Sequence, residues 1–133
     1  RKKINQKRAC VIIMSTQLSF SNSFKQIIPQ PLIKLLCDKN AERRKYASVE
    51  IVRQLNENKS NIEPFAIVKL VEKINNELIS ANQVNYRKGG LICLCSIVSG
   101  LGNTSLEYLD KVLPPITASF TDQDASVRLS ACE

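Results

Sequence analysis

Cys93-Leu94-Cys95 is the pair in this sequence that most invites a chemical reading, as metal ligands or a redox couple. Its setting argues against both. Leu91, Leu94, Ile97, Val98 and Leu101 recur at three- and four-residue steps, which predicts a helix. Two helical residues separated by one point about 200° apart, so the thiols cannot share a tetrahedral ion. Both are expected to be small packing residues. Cys10, Cys37 and Cys132 complete an odd total of five with no CxxC pair. Disulfides are not expected, and a reducing intracellular compartment is the default. The chain has no His at all. That removes His-ligated zinc, Ser–His and Cys–His nucleophile activation, and His acid–base chemistry. No catalytic residue, metal ligand or cofactor is assigned, and an enzyme is not expected.

The second chemical candidate is positive charge. The formal net charge is +7, but Arg1, Lys2, Lys3, Lys7 and Arg8 supply five charges within the first 13 residues, leaving +2 for residues 14–133. The body of the chain is nearly balanced, so its basic pI says little about a partner. Residues 1–22 read as a flexible basic extension. Its apolar run Ala9–Ile13 is far short of the ~20 residues that span a bilayer. Met14 is the only Met. Either it marks the natural start, with 1–13 an upstream extension, or the arm serves anionic lipid. Further on, Glu42-Arg43-Arg44-Lys45 and Tyr86-Arg87-Lys88 open two helices, and a groove for phosphate or an acidic partner is conceivable there. Basic residues at a helix start oppose the macrodipole, and only Tyr46 and Tyr86 accompany them as stacking aromatics. Nucleic acid is therefore not the expected partner.

These residues need helices to position them, and the composition suits helices. Hydrophobic residues make up 44% but aromatics only 5%, with no Trp, so packing is by aliphatic side chains. Ser23 can cap a helix near Phe24, with Ile27 and Ile28 buried; Pro29 and Pro31 restart it, and Leu32, Ile33, Leu35 and Leu36 continue. Asp38-Lys39-Asn40 turns into a helix over 41–56, with Arg44, Ala47, Ser48, Ile51, Val52 and Leu55 on one side. A third helix, over 62–80, tolerates Pro64 in its first turn and carries Ile67, Leu70, Val71, Ile74 and Leu78 as its stripe. The Cys93 helix follows, stopped by Gly100, Gly102 and Asn103. Leu106 begins the next, with Leu109, Val112, Leu113, Ile116 and Phe120 expected in the core and a kink at Pro114-Pro115. The final helix, from Ala125, is cut by the chain end, and an exposed apolar end is expected around Val127, Leu129 and Cys132.

The turns repeat. Asp38-x-Asn40-x3-Arg44-x2-Ala47 matches Asp122-x-Asp124-x3-Arg128-x2-Ala131, and the middle copy supplies Arg87-x2-Gly90 in the same frame. The arginines lie 43 and 41 residues apart, the period of HEAT and armadillo helix pairs. The expected fold is all-α, an α-α superhelix of about two and a half repeats, with units at 23–59, 60–103 and 104–133, the last truncated. Asp38, Arg44, Arg87, Asp122, Asp124 and Arg128 form the structural ladder. In it a turn carboxylate accepts from a helix start or from an Arg of a neighbouring unit. The middle unit has Ala81 and Gln83 where the turn acids belong, so the ladder is incomplete there.

Transferring the wheel of the 41–56 helix onto the Cys93 helix maps Tyr46, Glu50 and Arg53 onto Gly89, Cys93 and Ser96. A strip of small residues lets another backbone approach closely. Either the neighbouring repeat uses the strip to tighten the superhelix, or a partner docks on it. In the second case Tyr46, Glu50, Arg53, Lys88, Gly89, Cys93 and Ser96 form the partner surface.

Three segments resemble a known family: Glu42-Arg43-Arg44-Lys45-Tyr46-Ala47 to Ile51, Arg87-Lys88-Gly89-Gly90-Leu91-Ile92, and Phe120-Thr121-Asp122 with Arg128 to Glu133. Together with the unit lengths they make residues 24–133 similar to the vacuole-morphology HEAT-repeat scaffolds of the phosphatidylinositol 3,5-bisphosphate kinase–phosphatase complex. The resemblance implies a non-enzymatic scaffold, peripheral on cytosolic faces of endosomal, lysosomal or vacuolar membranes. It implies a FYVE-finger phosphoinositide kinase and a Sac-type phosphoinositide phosphatase as partners, and self-association through a distant C-terminal part. The competing readings are another HEAT or armadillo adaptor, for nuclear transport or a phosphatase, and a basic-tail binder of nucleic acid or anionic membrane.

Overall fold

A computed structural model describes residues 27–133. The basic extension over 1–22 and the Ser23 cap lie outside the described residues. Among those described, six α-helices follow one another with no strand. This is the all-α repeat arrangement the periodicity predicts.

Helix α1 (Gln30–Leu36) restarts after Pro29, with Pro31 in its first turn, where a missing N–H costs no intrahelical bond. Helix α2 (Ala41–Asn58) is capped by Asn40, whose side chain accepts from the Glu42 N–H at 2.8 Å. Its buried positions Ala47, Ile51 and Leu55 step by four. Helix α3 (Pro64–Ile74) continues into a wider π turn (Asn75–Ile79), and Ile67, Leu70, Val71, Ile74 and Leu78 are all buried. Helix α4 (Val84–Leu101) contains the two cysteines, α5 (Leu109–Ser119) follows a 3₁₀ stretch (Gly102–Tyr108), and α6 is Ala125–Cys132.

Helix α4 is the hub. It packs chiefly on α2 and also against α1, the π turn, α3 and α6. Leu91, Leu94, Ile97 and Leu101 are buried, as are Gly89, Gly90, Cys93, Ser96 and Gly100. By length and hydropathy alone Val84–Ser119 passes as a membrane span. Here its apolar side belongs to a continuous core running from Ile28 to Val112.

Four expectations need correction. Gly100 does not stop α4 but lies in its last turn; Gly102, at φ +59°, ends the helix. Leu113 and Phe120 are not in the core but exposed, as is Leu106. The 3₁₀ stretch buries Ser105 and Tyr108, which sets the phase that Val112, Ile116 and Ser119 then continue. Leu113 and Phe120 fall about 80–100° from that stripe. At the last helix Val127 is fully buried, so only Leu129 and Cys132 are exposed. Finally, Cys95 is exposed while Cys93 is buried; the 200° separation that forbids a shared ion also forbids both from packing.

Candidate functional site

The chemistry-bearing side chains gather along the edge formed by the turns that lead into α2, α4 and α6. Three arginines do one thing in common there. Arg44 Nη1 donates to the carbonyls of Asp38 (2.8 Å) and Lys39 (2.9 Å), the residues six and five before it. Arg87 Nη1 donates to Ala81 (3.1 Å) and Asn82 (2.8 Å), and Arg128 Nη1 to Asp122 (2.7 Å) and Gln123 (3.1 Å), in the same register. The acceptors are main-chain oxygens, so the middle turn is held although it has no acid.

The turn acids hold the backbone from the other side. Asp38 accepts the Asn40 N–H and Asp122 accepts the Asp124 N–H, both at 2.8 Å. Asp124 caps α6 through the N–H groups of Ser126 and Val127. Each of these three carboxyls titrates below the ordinary carboxylate range. For Asp38 the main cause is the Asn40 N–H, then Arg43; for Asp122 it is the Arg87 guanidinium; for Asp124 it is Ser126.

One rung crosses between neighbouring turns. Arg87 Nε and Nη2 donate to the two oxygens of Asp122 at 2.8 and 3.0 Å, a bidentate pair that is mostly shielded from solvent. Arg44 has no such partner, because Ala81 stands where Asp122 stands in the next turn. Arg43 pairs with Asp38 of its own turn at 3.0 Å. The basic clusters are thus largely spent on internal bonds, which leaves little free guanidinium for phosphate.

The seven-residue partner surface does not assemble. Tyr46 is 62% exposed, and Arg53 bridges Glu50 and Glu57 on the outer face of α2. Arg53, then Gln54, holds the Glu50 carboxyl down to about 2. Gly89, Cys93 and Ser96, at the equivalent positions of α4, are buried, and Lys88 is half-buried. The strip instead serves the other alternative, close packing by the neighbouring unit: these positions on α4 face α1 and α2, whereas on α2 they face no described element. A Cβ on Gly89 would stand 2.7 Å from the Leu36 carbonyl oxygen, and one on Gly100 2.6 Å from Leu55 Cβ. Ser96 Oγ donates to the Ile92 carbonyl at 2.8 Å and so accepts from Ser48 Oγ, 2.9 Å away. Burial pushes the Cys93 thiol up to about 12, with Cys37 a smaller cause. It is no nucleophile.

A feature the residue patterns did not reveal is a cleft of about 600 Å³ between the first two turns, walled by α1, the end of α3 and the start of α4. Its one signal in the sequence was the missing turn acid of the middle unit. Among the described residues no cluster of His, Cys, Asp or Glu could hold a metal ion.

A stacked array of helix pairs, tied by arginine-held turns, defines a class: an all-α helical-repeat protein. Comparison narrows the class. Residues 85–133 match the family model described as the vacuolar 14 Fab1-binding region. The chain is 38% identical over 106 residues to the protein VAC14 homolog of Arabidopsis thaliana, covering 80% of this chain and 14% of that protein. It is 33% identical over 104 residues to vacuole morphology and inheritance protein 14 of Saccharomyces cerevisiae, covering 77% and 12%. No solved structure gives a significant match. The chain thus resembles Vac14-type proteins over most of its own length, while spanning about one seventh of the length of these relatives or less.

Proposed function

We propose that this chain is part of a non-catalytic scaffold that docks a Fab1-type phosphoinositide kinase. The observation that carries the reading is the match of residues 85–133 to a family model described by Fab1 binding. That stretch runs from α4 through α6, and the Arg87–Asp122 pair joins its two ends. The same resemblance supports a place at the vacuolar or endolysosomal membrane, since the yeast relative is named for vacuole morphology. It also supports a Sac-type phosphatase in the assembly and self-association of the longer protein. The repeat units are taken as 23–59, 60–103 and 104–133, supported by the common register of Arg44, Arg87 and Arg128.

The test is co-purification. A tagged, full-length version of the protein is expressed with the kinase and recovered. The kinase is expected in the eluate, and no kinase above the untagged control overturns the reading.

A further inference from the structure

The two junctions between neighbouring turns are built differently. At the second, Arg87 closes on both oxygens of Asp122. At the first, Arg44 grips its own turn in the same way, but Ala81 offers no carboxylate to tie the two turns together. It is between these untied turns that the 600 Å³ cleft opens. Lys34 and Lys39 from the first unit line it together with Gln83, Asn85 and Tyr86 from the second. None of these five side chains makes a hydrogen bond or ion pair among the described residues. The acids of the cleft are already engaged, Asp38 by Arg43 at 3.0 Å and Glu77 by Lys73 at 3.7 Å. What remains unspent in the lining is two ammonium groups together with amide and phenol groups. The accessible apolar lining comes from the half-buried Ile33 and Cys37, with Ile74 and Leu78 nearly closed off in the core.

We infer that this cleft binds an acidic segment of a partner protein, with carboxylates on Lys34 and Lys39 and an apolar side chain against Ile33 and Cys37. The inference rests on the scaffold reading only in taking the ligand to be a protein. Volume and composition both favour a peptide. The cleft is within the ~300–1,000 Å³ of ligand pockets and larger than one hydrated anion requires. An apolar lining gains nothing from an inorganic ion, whereas a peptide brings carboxylates and an apolar side chain together.

The test titrates the full chain with a fluorescent Asp-Glu-Leu-Asp-Glu peptide and with its neutral Asn-Gln-Leu-Asn-Gln counterpart. The acidic peptide is expected to bind at least tenfold more tightly, and more weakly as salt rises. Lys34→Glu with Lys39→Glu should lower its affinity at least tenfold while the helical circular dichroism stays unchanged. Ala81→Asp supplies the missing rung; it should raise the thermal midpoint and weaken the peptide at least threefold. Equal binding of the neutral peptide, or unchanged affinity in both variants, overturns the inference. So does binding of inositol hexakisphosphate or inorganic phosphate without the peptide. Kinase recovery with no peptide binding overturns the cleft alone, and peptide binding without kinase recovery overturns the scaffold reading alone.

Discussion

Arg44 and Arg87 form a natural experiment, because they share the grip on two turn carbonyls and differ in one thing. Arg87 adds the bidentate pair with Asp122. Replacing Arg44 by Ala removes two hydrogen bonds from a charged donor, a loss of about 2 kcal/mol. Replacing Arg87 by Ala removes the same two and strands Asp122 in a mostly shielded place, which should cost about 1–2 kcal/mol more. Urea unfolding of the two variants, at unchanged m-value, measures the difference directly. Equal losses would mean that the rung adds nothing. Arg87→Lys should fall close to Arg87→Ala, since an ammonium cannot reproduce the planar fork. At this scale the sequence was legible: the turn acids and arginines repeat at fixed offsets, and the offsets set who can reach whom. Legibility failed for Cys95, because packing was assigned to both members of a pair whose geometry allows it to only one.

A glycine in the second turn of α4 and one just past its C-terminal end do opposite jobs. Gly89 is helical and buried; a Cβ there would meet the Leu36 carbonyl oxygen at 2.7 Å and its carbon at 2.9 Å, backbone atoms that cannot rotate away. Gly102 has open space around it but φ +59°, a conformation costly for any residue with a side chain. Gly89→Ala gains up to about 1 kcal/mol in helix propensity and loses about 1–3 kcal/mol to overpacking, so a net loss near 1 kcal/mol is expected. Gly102→Ala should cost about 1–3 kcal/mol through strain alone. Thermal melts separate the causes in combination with Leu36→Ala. That change leaves the carbonyl in place and should not rescue Gly89→Ala, and full rescue would show the clash to be with the side chain. Helices α1 to α3 were readable because each carries an unbroken stripe. Helix α5 was not, because the 3₁₀ stretch before it resets the phase by a fraction of a turn. Of the two uses left open for the α4 strip, close packing by the neighbouring unit is the one seen. A helical wheel could not choose because it records angles and not neighbours; the face that lies open on α2 is, on α4, the face that meets α1 and α2.

Across the whole molecule the cleft was the hardest feature to foresee. Its walls come from residues 30–39, 73–78 and 83–86, brought together only by stacking. The response to pH, by contrast, follows from groups visible in both sequence and structure. No His is present, so no side chain of ordinary pKa titrates between about pH 5 and 8. Asp38, Asp122 and Asp124 are held below their ordinary values by hydrogen bonds, and Glu50 is held at about 2. A carboxyl whose folded pKa lies below its unfolded one adds stability above the unfolded value, about 4, and loses it as pH falls through the folded value. On the alkaline side Cys93, held at about 12, has a folded pKa above its unfolded one. Its contribution is complete below the unfolded value, about 8.5–9, and is lost as pH rises from there. Thermal midpoints followed by circular dichroism should therefore be flat from about pH 5 to 8, fall from about pH 4.5 toward 2, and fall again above about pH 9. Asp122→Asn should lower the plateau and flatten the acid limb, because one of the shifted carboxyls is gone. Cys93→Ser should flatten the alkaline limb and leave the acid one unchanged. A midpoint that rises on acidification, or an acid limb unaltered by Asp122→Asn, would show that the Arg87–Asp122 rung does not couple protons to folding.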